Sequence, residues 1–239
     1  MRQSVTRVVC EWGMAGIEAW LPRAAVFVIV DVLSFSTAVS VAVDQGATIL
    51  PFAYGDPDAA EAEASTRGAV AAASKRALGG QVSLSPTSLR TLKPGARVLL
   101  PSPNGSRLSL ATGGTPTICG SLRNVSAVGE AARLIAGDGV VAVISAGERW
   151  PDGSLRPAIE DWLGAGAIIG AMEGDLSSEA MLAGLTFSAA RSDLDAIIRR
   201  SISGRELIDR GFKSDVDLAL AFDLSGSVPL LQSGEYRAL

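Results

Sequence analysis

Residues 26–43, VFVIVDVLSFSTAVSVAV, place a single carboxylate, Asp31, between an apolar run and a segment rich in hydroxyl groups. The apolar run predicts a buried strand with Asp31 at its carboxyl end. A buried carboxylate is costly unless it is paired, hydrogen-bonded or bound to a metal, and open α/β sheets bind ligands at this end of their strands. Asp31 is therefore a candidate site residue. The alternative is that it caps the following helix.

Further apolar runs of the same kind alternate with Ala-rich segments of helical spacing, and they are VTRVVCEW (5–12), ATILPF (47–52), ARVLLPS (96–102), TPTICGS (115–121) and VVAVISAG (140–147). This alternation predicts an α/β fold, a three-layer α/β/α sandwich with a mainly parallel or mixed sheet. Residues from about 175 onward have mostly helical patterns and end in a short apolar run, VPLLQ. We expect a single α/β domain over residues 1–239, or two intimate lobes with the second more helical.

The composition excludes several classes of protein. Of the 239 residues 48% are apolar, and the formal net charge of −4 gives no basic field for nucleic acid. No segment has the roughly 18 uninterrupted apolar residues of a membrane span, so we expect a cytoplasmic protein. Cys10 and Cys119 lie in apolar runs and are expected to be buried thiols. The sequence has no histidine, which excludes phosphohistidine chemistry, Ser-His-Asp and Cys-His nucleophiles and His-ligated metals.

Two loops after predicted strands have the composition of an anion site. Ser34, Ser36 and Thr37 follow Asp31, and Asn104-Gly105-Ser106-Arg107 follows the strand ARVLLPS. In the second loop Gly permits close backbone approach, Asn and Ser offer hydrogen bonds, and Arg matches a phosphate or carboxylate. The alternative for this loop is an ordinary surface turn.

A third loop carries acidic residues. Glu148 follows the strand VVAVISAG, and Glu160-Asp161 opens the helix AIEDWLGAGAIIGAM. The alternative role for this pair is favourable interaction with the helix dipole. Asn124 follows another strand and is expected to cap the helix VSAVGEAARLI, whose free amides could also receive phosphate oxygens.

Taken in order, the motifs are similar to those of the 2-phosphosulfolactate phosphatase family over nearly the whole chain, from Val26 to Leu231. The matching segments are VDVLSFSTA (30–38), VSLSP (82–86), PNGSR (103–107), CGSLRN (119–124), SAGE (145–148), IEDWLGAGA (159–167) and SGRELIDRGFKSDVDLALAFD (203–223) with VPLL (228–231). The resemblance implies a Mg²⁺-dependent phosphatase that hydrolyses (2R)-phospho-3-sulfolactate, a small anionic phosphate ester, to 3-sulfolactate and phosphate in the route to coenzyme M. A homo-oligomer is also expected.

The resemblance also implies roles for the candidate residues. Asp31 matches the first acid of the family, Glu160 and Asp161 match its acidic pair, and Asn104, Gly105, Arg107 and Asn124 match its polar loops. Our hypothesis is that Asp31 holds Mg²⁺ with one or both of Glu160 and Asp161, while Asn104, Arg107 and loop amides bind phosphate. A spare carboxylate such as Glu148 could activate water, although a covalent intermediate is an open alternative.

The chain departs from the family pattern in its ligand-binding loops. Ser34 and Phe35 stand where the family has Arg and Ala, and the GER segment of the family has no recognisable counterpart. Lys75 or Arg76 could replace the missing charge. Two rival functions follow from these losses and from the fold class: a catalytically weakened anion-binding or regulatory protein on the same scaffold, and a nucleotide-binding oxidoreductase.

Overall fold

The structure, a computed structural model, describes residues 7–53, 55–73, 76 and 81–239. Within these residues ten strands form one sheet, and β8 and β9 form a separate two-stranded ribbon. The strands in chain order are β1 (Arg7–Trp12), β2 (Ala24–Val30), β3 (Thr48–Ala53), β4 (Val70–Ala71), β5 (Arg97–Ser102), β6 (Thr117–Gly120), β7 (Val140–Ser145), β8 (Glu148–Arg149), β9 (Leu155–Arg156), β10 (Asp175–Leu176), β11 (Pro229–Gln232) and β12 (Glu235–Ala238). All six strands predicted from apolar runs are present.

Helices separate most of the strands. They are α1 (Gly13–Trp20), α2 (Phe35–Asp44), α3 (Pro57–Thr66), α4 (Pro86–Leu89), α5 (Gly105–Leu110), α6 (Val125–Ala136), α7 (Ile159–Gly170), α8 (Ser178–Ala190), α9 (Leu194–Arg200), α10 (Ile202–Asp209) and α11 (Lys213–Ala219), with short 3₁₀ turns at Leu122–Asn124 and Arg191–Asp193. None of these helices in the described part of the chain is long and apolar enough to span a bilayer.

Both faces of the sheet are covered, as the side chains of β2 show. Val28 packs into a core cluster with residues of α6 and α7, whereas its neighbour Ile29 packs into a different cluster with residues of α1 and α5. Successive side chains of a strand point to opposite faces, so helices lie on both sides of the sheet. This confirms the predicted three-layer α/β/α architecture.

The sheet is mixed because a hairpin near the end of the chain lies in its middle. The strand order is β10-β1-β7-β2-β6-β11-β12-β3-β5-β4, and β11 and β12 run antiparallel to each other and to β6 and β3. The run VPLLQ forms β11, but the sequence analysis did not predict β12. The sequence signal for β12 is the pair Ser233-Gly234, since glycine is common in two-residue hairpin turns. In the structure both residues have the positive φ angles of such a turn, 51° and 76°.

The segment after residue 175 is mostly helical, as predicted. Phe187, Ile198, Leu207 and Val216, from α8, α9, α10 and α11, all belong to the core cluster that contains β2 and β7. The helical segment therefore packs on the sheet. The division of the chain into one domain or two lobes stays a prediction.

Candidate active site

Asp31 joins the loops that follow β2 and β5. It is 5% exposed, and its two carboxylate oxygens accept hydrogen bonds from the backbone N–H groups of Phe35, at 3.2 Å, and Gly105, at 2.8 Å. Because Phe35 is the first residue of α2, Asp31 accepts one of the free N–H groups at the start of this helix, which confirms in part the alternative role as a cap. The bond to Gly105 joins residues that are far apart in the sequence, and it fixes the start of α5 against the carboxyl end of β2.

Glu148 and Asn104 extend this contact to the loop after β7. The side-chain amide of Asn104 donates to Oε2 of Glu148 at 2.8 Å. The loops after β2, β5 and β7 therefore meet at one edge of the sheet, as parallel strands require. This edge brings together Asp31, Asn104, Gly105 and Glu148, which the sequence analysis had selected from three separate loops.

The two adjacent acids at the start of α7 have different environments. Both side-chain oxygens of Asp161 accept backbone hydrogen bonds, from Val32 at 2.7 Å and Gly147 at 2.8 Å. Glu160 is 2% exposed, and its Oε2 has no hydrogen-bond partner. Asp161 thus ties the β2 and β7 loops together, while Glu160 carries a buried acceptor that a ligand could use.

A cleft of about 230 Å³ opens beside Asp31, Asn104 and Glu148, and neither Glu160 nor Asp161 lines it. It is lined on one side by Asp31, Ser34, Asn104 and Glu148 and on the other by residues that the sequence analysis gave no firm role, Arg76, Ser203, Glu206 and Arg210. A second cavity of about 210 Å³ shares Asn104 and Glu148 with it and contains Arg107, Arg149 and the start of α1. Asn104 and Glu148 therefore border both cavities.

Two of the hydroxyl groups predicted to bind substrate serve the backbone instead. Ser36 Oγ accepts from the N–H of Asp31 at 2.8 Å and donates to the carbonyl of Ile29 at 3.1 Å. Thr37 Oγ1 donates to the carbonyl of Val32 at 2.7 Å. Both side chains are fully buried. Their contacts shape the loop that carries Asp31, and neither lines the cleft.

Ser106 and Asn124 are also bound to the protein itself. Ser106 Oγ donates to the carbonyl of Leu100 at 2.8 Å. Asn124 Oδ1 accepts from the N–H of Ser121 at 2.9 Å, and its amide donates to the carbonyl of Ser227 at 3.1 Å. Asn124 occupies the N-cap position of α6 as predicted, but its side chain makes no cap hydrogen bond there, because the oxygen is already bonded to Ser121.

Arg76 lies where the chain departs from the family motif. Its Nη2 donates to Ser34 Oγ at 2.7 Å, and its Nη1 donates to Asp215 Oδ2 at 2.6 Å. The guanidinium is thus beside the residue that replaces the Arg of the family, which supports the idea that Arg76 supplies the missing charge. Lys75, the other candidate, lies outside the described residues. Asp215 was missed, although it belongs to the matching segment SGRELIDRGFKSDVDLALAFD.

The carboxylates of the site are difficult to ionise together. Burial raises the pKa of Asp31 to about 6, although the N–H groups of Phe35 and Gly105 oppose the shift. Burial and the charge of Asp31 raise the pKa of Glu148 to about 7. Burial, followed by the charges of Asp31 and Glu160, raises the pKa of Asp161 well above its usual range. The site therefore favours a proton or a cation among its carboxylates.

We expect the stability of the metal-free protein to fall as pH rises from 4.5 to about 7, because folded Glu148 holds its proton in this range while the unfolded chain has lost it. The contribution is at most about 3 kcal/mol. Urea unfolding in chelator at pH 5 and pH 8 measures it. Glu148→Gln should reduce the fall, whereas the exposed control Glu173→Gln should not. An equal fall in wild type and Glu148→Gln would contradict the assignment.

The donor set meets part of what a divalent cation needs. Among the described residues, no three acidic or Cys side chains converge into a complete protein metal site. Mg²⁺ is usually held by one or two carboxylates, with waters and substrate phosphate completing its octahedron. The unpartnered oxygen of Glu160 and the buried carboxylate of Asp31, which lines the cleft, fit that partial shell. Both oxygens of Asp161 accept hydrogen bonds, as those of Asp31 do, but Asp161 fits less well because it does not line the cleft.

Comparison with known proteins shows the family of the chain. The family model for 2-phosphosulpholactate phosphatase matches residues 17–234. The 2-phosphosulfolactate phosphatase of Methanothermobacter thermautotrophicus is 33% identical over 215 residues, which cover 89% of this chain and 89% of that protein. The match extends across the β2, β5 and β7 loops and the helical segment that faces them. The chain therefore belongs to the 2-phosphosulpholactate phosphatase family, a family of phosphoric monoester hydrolases.

Proposed function

We propose that this protein hydrolyses 2-phospho-3-sulfolactate, or a closely related phosphorylated 2-hydroxy acid, to the alcohol and phosphate with the help of Mg²⁺. The observation that carries the proposal is the edge of the sheet where Asp31, Asn104 and Glu148 meet beside Arg76. Buried carboxylates beside guanidinium groups suit phosphoryl transfer, which depends chiefly on positioning and electrostatic stabilisation.

Asn104 and Arg107 are proposed to bind the phosphate. Asn104 lines both cavities, and Arg107 is exposed on α5 with its guanidinium available to an anion. The Asp31–Gly105 hydrogen bond fixes the start of α5 and so positions both side chains. Mg²⁺, held by Glu160 and Asp31, would neutralise charge on the phosphoryl oxygens and orient the ester.

Glu148 is proposed to be the general base. Its pKa of about 7 leaves it able to take a proton near neutral pH. Asn104 binds Oε2 and holds the carboxylate in place, which leaves Oε1 for the water. The water oxygen bonds to phosphorus as the ester P–O bond breaks. Glu148 takes one proton of the water and later releases it to solvent, and the leaving alkoxide takes a proton from solvent to become the hydroxyl of sulfolactate.

The direct test is phosphate release from 2-phospho-3-sulfolactate with Mg²⁺ and with chelator. We expect chelation to lower the rate by at least about 100-fold and added Mg²⁺ to restore it. Glu160→Gln should raise the Mg²⁺ concentration for half-maximal rate by about 10- to 100-fold. It should also abolish the rise in melting temperature that Mg²⁺ gives the wild type.

Exposed Glu173→Gln is the matched control and should respond to Mg²⁺ as the wild type does. A chelator-insensitive rate would overturn the role of Mg²⁺. Tight binding of the ester without turnover would favour the alternative, an anion-binding protein weakened at Ser34. The coenzyme M pathway, the cytoplasmic location and the homo-oligomer stay predictions.

A further inference from the structure

One wall of the cleft is formed by residues to which the proposed function assigns neither the phosphate nor the metal. Ser203 and Arg210 lie at the two ends of α10, and Arg76 lines the same side of the cleft. The guanidinium carbons of Arg76 and Arg210 lie 5.8 Å and 5.7 Å from the centre of the Phe212 ring. We call Arg76, Ser203 and Arg210 the α10 wall. Two guanidinium groups share one aromatic ring there, beside the carboxylate side of the cleft.

The charges of the α10 wall are only partly compensated. Arg76 forms an ion pair with Asp215 at 2.6 Å, and the Asp215 side chain is 1% exposed. Glu206 also lines the cleft, but its carboxylate lies 3.7 Å from Arg156. Among the residues that the structure describes, Arg210 makes no salt bridge. The wall therefore carries about one unpaired positive charge.

Ser203 adds an unused hydrogen-bonding group. It is 4% exposed and lines the cleft, and its Oγ has no hydrogen-bond partner. A buried hydroxyl without a partner is uncommon, since leaving it unpaired costs free energy. The cap of α10 does not use it, because Ser201 Oγ accepts from Gly204 N–H at 3.0 Å. The hydroxyl and the two guanidinium groups together offer donors to a bound anion.

We propose that the α10 wall binds the sulfonate of the substrate, an inference that rests on the proposed function. A sulfonate carries one negative charge spread over three oxygens, which matches one unpaired charge and several converging donors. The phosphate carries up to two charges and must reach Glu148 and the proposed metal site, so it lies toward Asn104 and Arg107. The α10 wall thus selects esters that bear a second strong anion.

The kinetic test compares 2-phospho-3-sulfolactate with 2-phospholactate, in which a methyl group replaces the sulfomethyl group. We expect Arg210→Gln to reduce the ratio of their kcat/KM values at least about tenfold, as loss of one charge-assisted hydrogen bond predicts. Arg107→Gln should lower both values and keep the ratio. Arg205→Gln, an exposed charge on the same helix, should also keep it. If Arg107→Gln lowered the ratio of the kcat/KM values and Arg210→Gln did not, the sulfonate would lie at Arg107 and the phosphate at the α10 wall. That result would overturn the proposal.

A binding test separates this proposal from the catalytic one. Calorimetric titration with 3-sulfolactate and with lactate needs no turnover, so it is informative even if no ester is hydrolysed. We expect wild type to bind 3-sulfolactate at least about tenfold more tightly than lactate, and Arg210→Gln and Ser203→Ala each to reduce the preference. Equal binding of the two ligands by wild type would overturn the sulfonate site, and absent hydrolysis with preferential binding would overturn only the proposed function.

Discussion

Asp31→Asn is expected to lower kcat/KM for phosphate release by about a thousandfold or more. Both oxygens of the carboxylate receive backbone N–H groups, from Phe35 and Gly105. An amide has one oxygen, so its NH₂ group would face one of these donors and push the loop away. The substitution would also remove the negative charge that is proposed to hold Mg²⁺. Loss of a single preorganised electrostatic contact typically costs about 10²- to 10³-fold, and here two functions are lost together.

Steady-state phosphate release with saturating Mg²⁺ measures this effect. Circular dichroism and thermal unfolding show whether the variant is folded. We expect a small change in stability, because the lost hydrogen bond is offset by removal of a buried charge whose pKa is raised to about 6. Asp138→Asn, at an exposed position before β7, is the matched control and should leave the rate unchanged. If Asp31→Asn kept more than about a tenth of wild-type activity, Asp31 would not be part of the catalytic centre.

Gly105→Ala is expected to be the most damaging small substitution at the site. A Cβ atom on Gly105 would lie 2.2 Å from Cδ1 and 2.5 Å from Cγ of Phe35. Phe35 is fully buried and packs edge-on against Tyr236, with ring centres 6.1 Å apart, so it has little room to move. We expect a loss of about 1–3 kcal/mol of stability, typical of overpacking. Activity should fall by about 100-fold, because α5 must shift its N–H away from Asp31.

Replacing Phe35, the residue that the added methyl group would clash with, tests the explanation given for Gly105→Ala. In a Phe35→Gly background the Phe35 Cβ, which would lie 2.7 Å from the added methyl group, is removed together with the ring, so the penalty of Gly105→Ala on the free energy of unfolding should shrink to below about 1 kcal/mol. Urea unfolding of the two single variants and the double variant measures this coupling. Gly226→Ala is the control, since a Cβ atom there meets nothing within 4 Å. Additive penalties at Gly105 and Phe35 would contradict the proposed clash.

The strands and the position of the site could be predicted from the sequence because both depend on local pattern. Apolar runs mark the strands, and the carboxyl ends of parallel strands share an edge, so Asp31, Asn104 and Glu148 could be grouped in advance. The roles of neighbouring polar residues could not be assigned in the same way. Glu160 and Asp161 are adjacent acids on one helix turn, and only packing decides which of them bonds to the backbone.

The hydroxyl groups show the same limit. Ser34 faces the cleft, whereas Ser36 and Thr37 bond to backbone carbonyls, although all three lie within four residues. Arg76 and Ser203 reach the site from segments that follow no strand of the predicted edge. Their contribution depends on how α10 and α11 fold back over the sheet, which is a tertiary contact with no local signal.

The hairpin of β11 and β12 joins the two parts of the sheet that carry the active-site residues. One parallel group, β10-β1-β7-β2-β6, carries Asp31 and Glu148, and the other, β3-β5-β4, carries Asn104. In the described sheet only β11 and β12 lie between the two groups. The hydroxyl groups of Tyr236 in β12 and Ser109 in α5 form a hydrogen bond of 2.7 Å. Without this hairpin β6 and β3 would become two open sheet edges. The two groups of strands that carry the site residues would then no longer be joined, so the geometry of the active site depends on a hairpin that contributes no residue to the cleft.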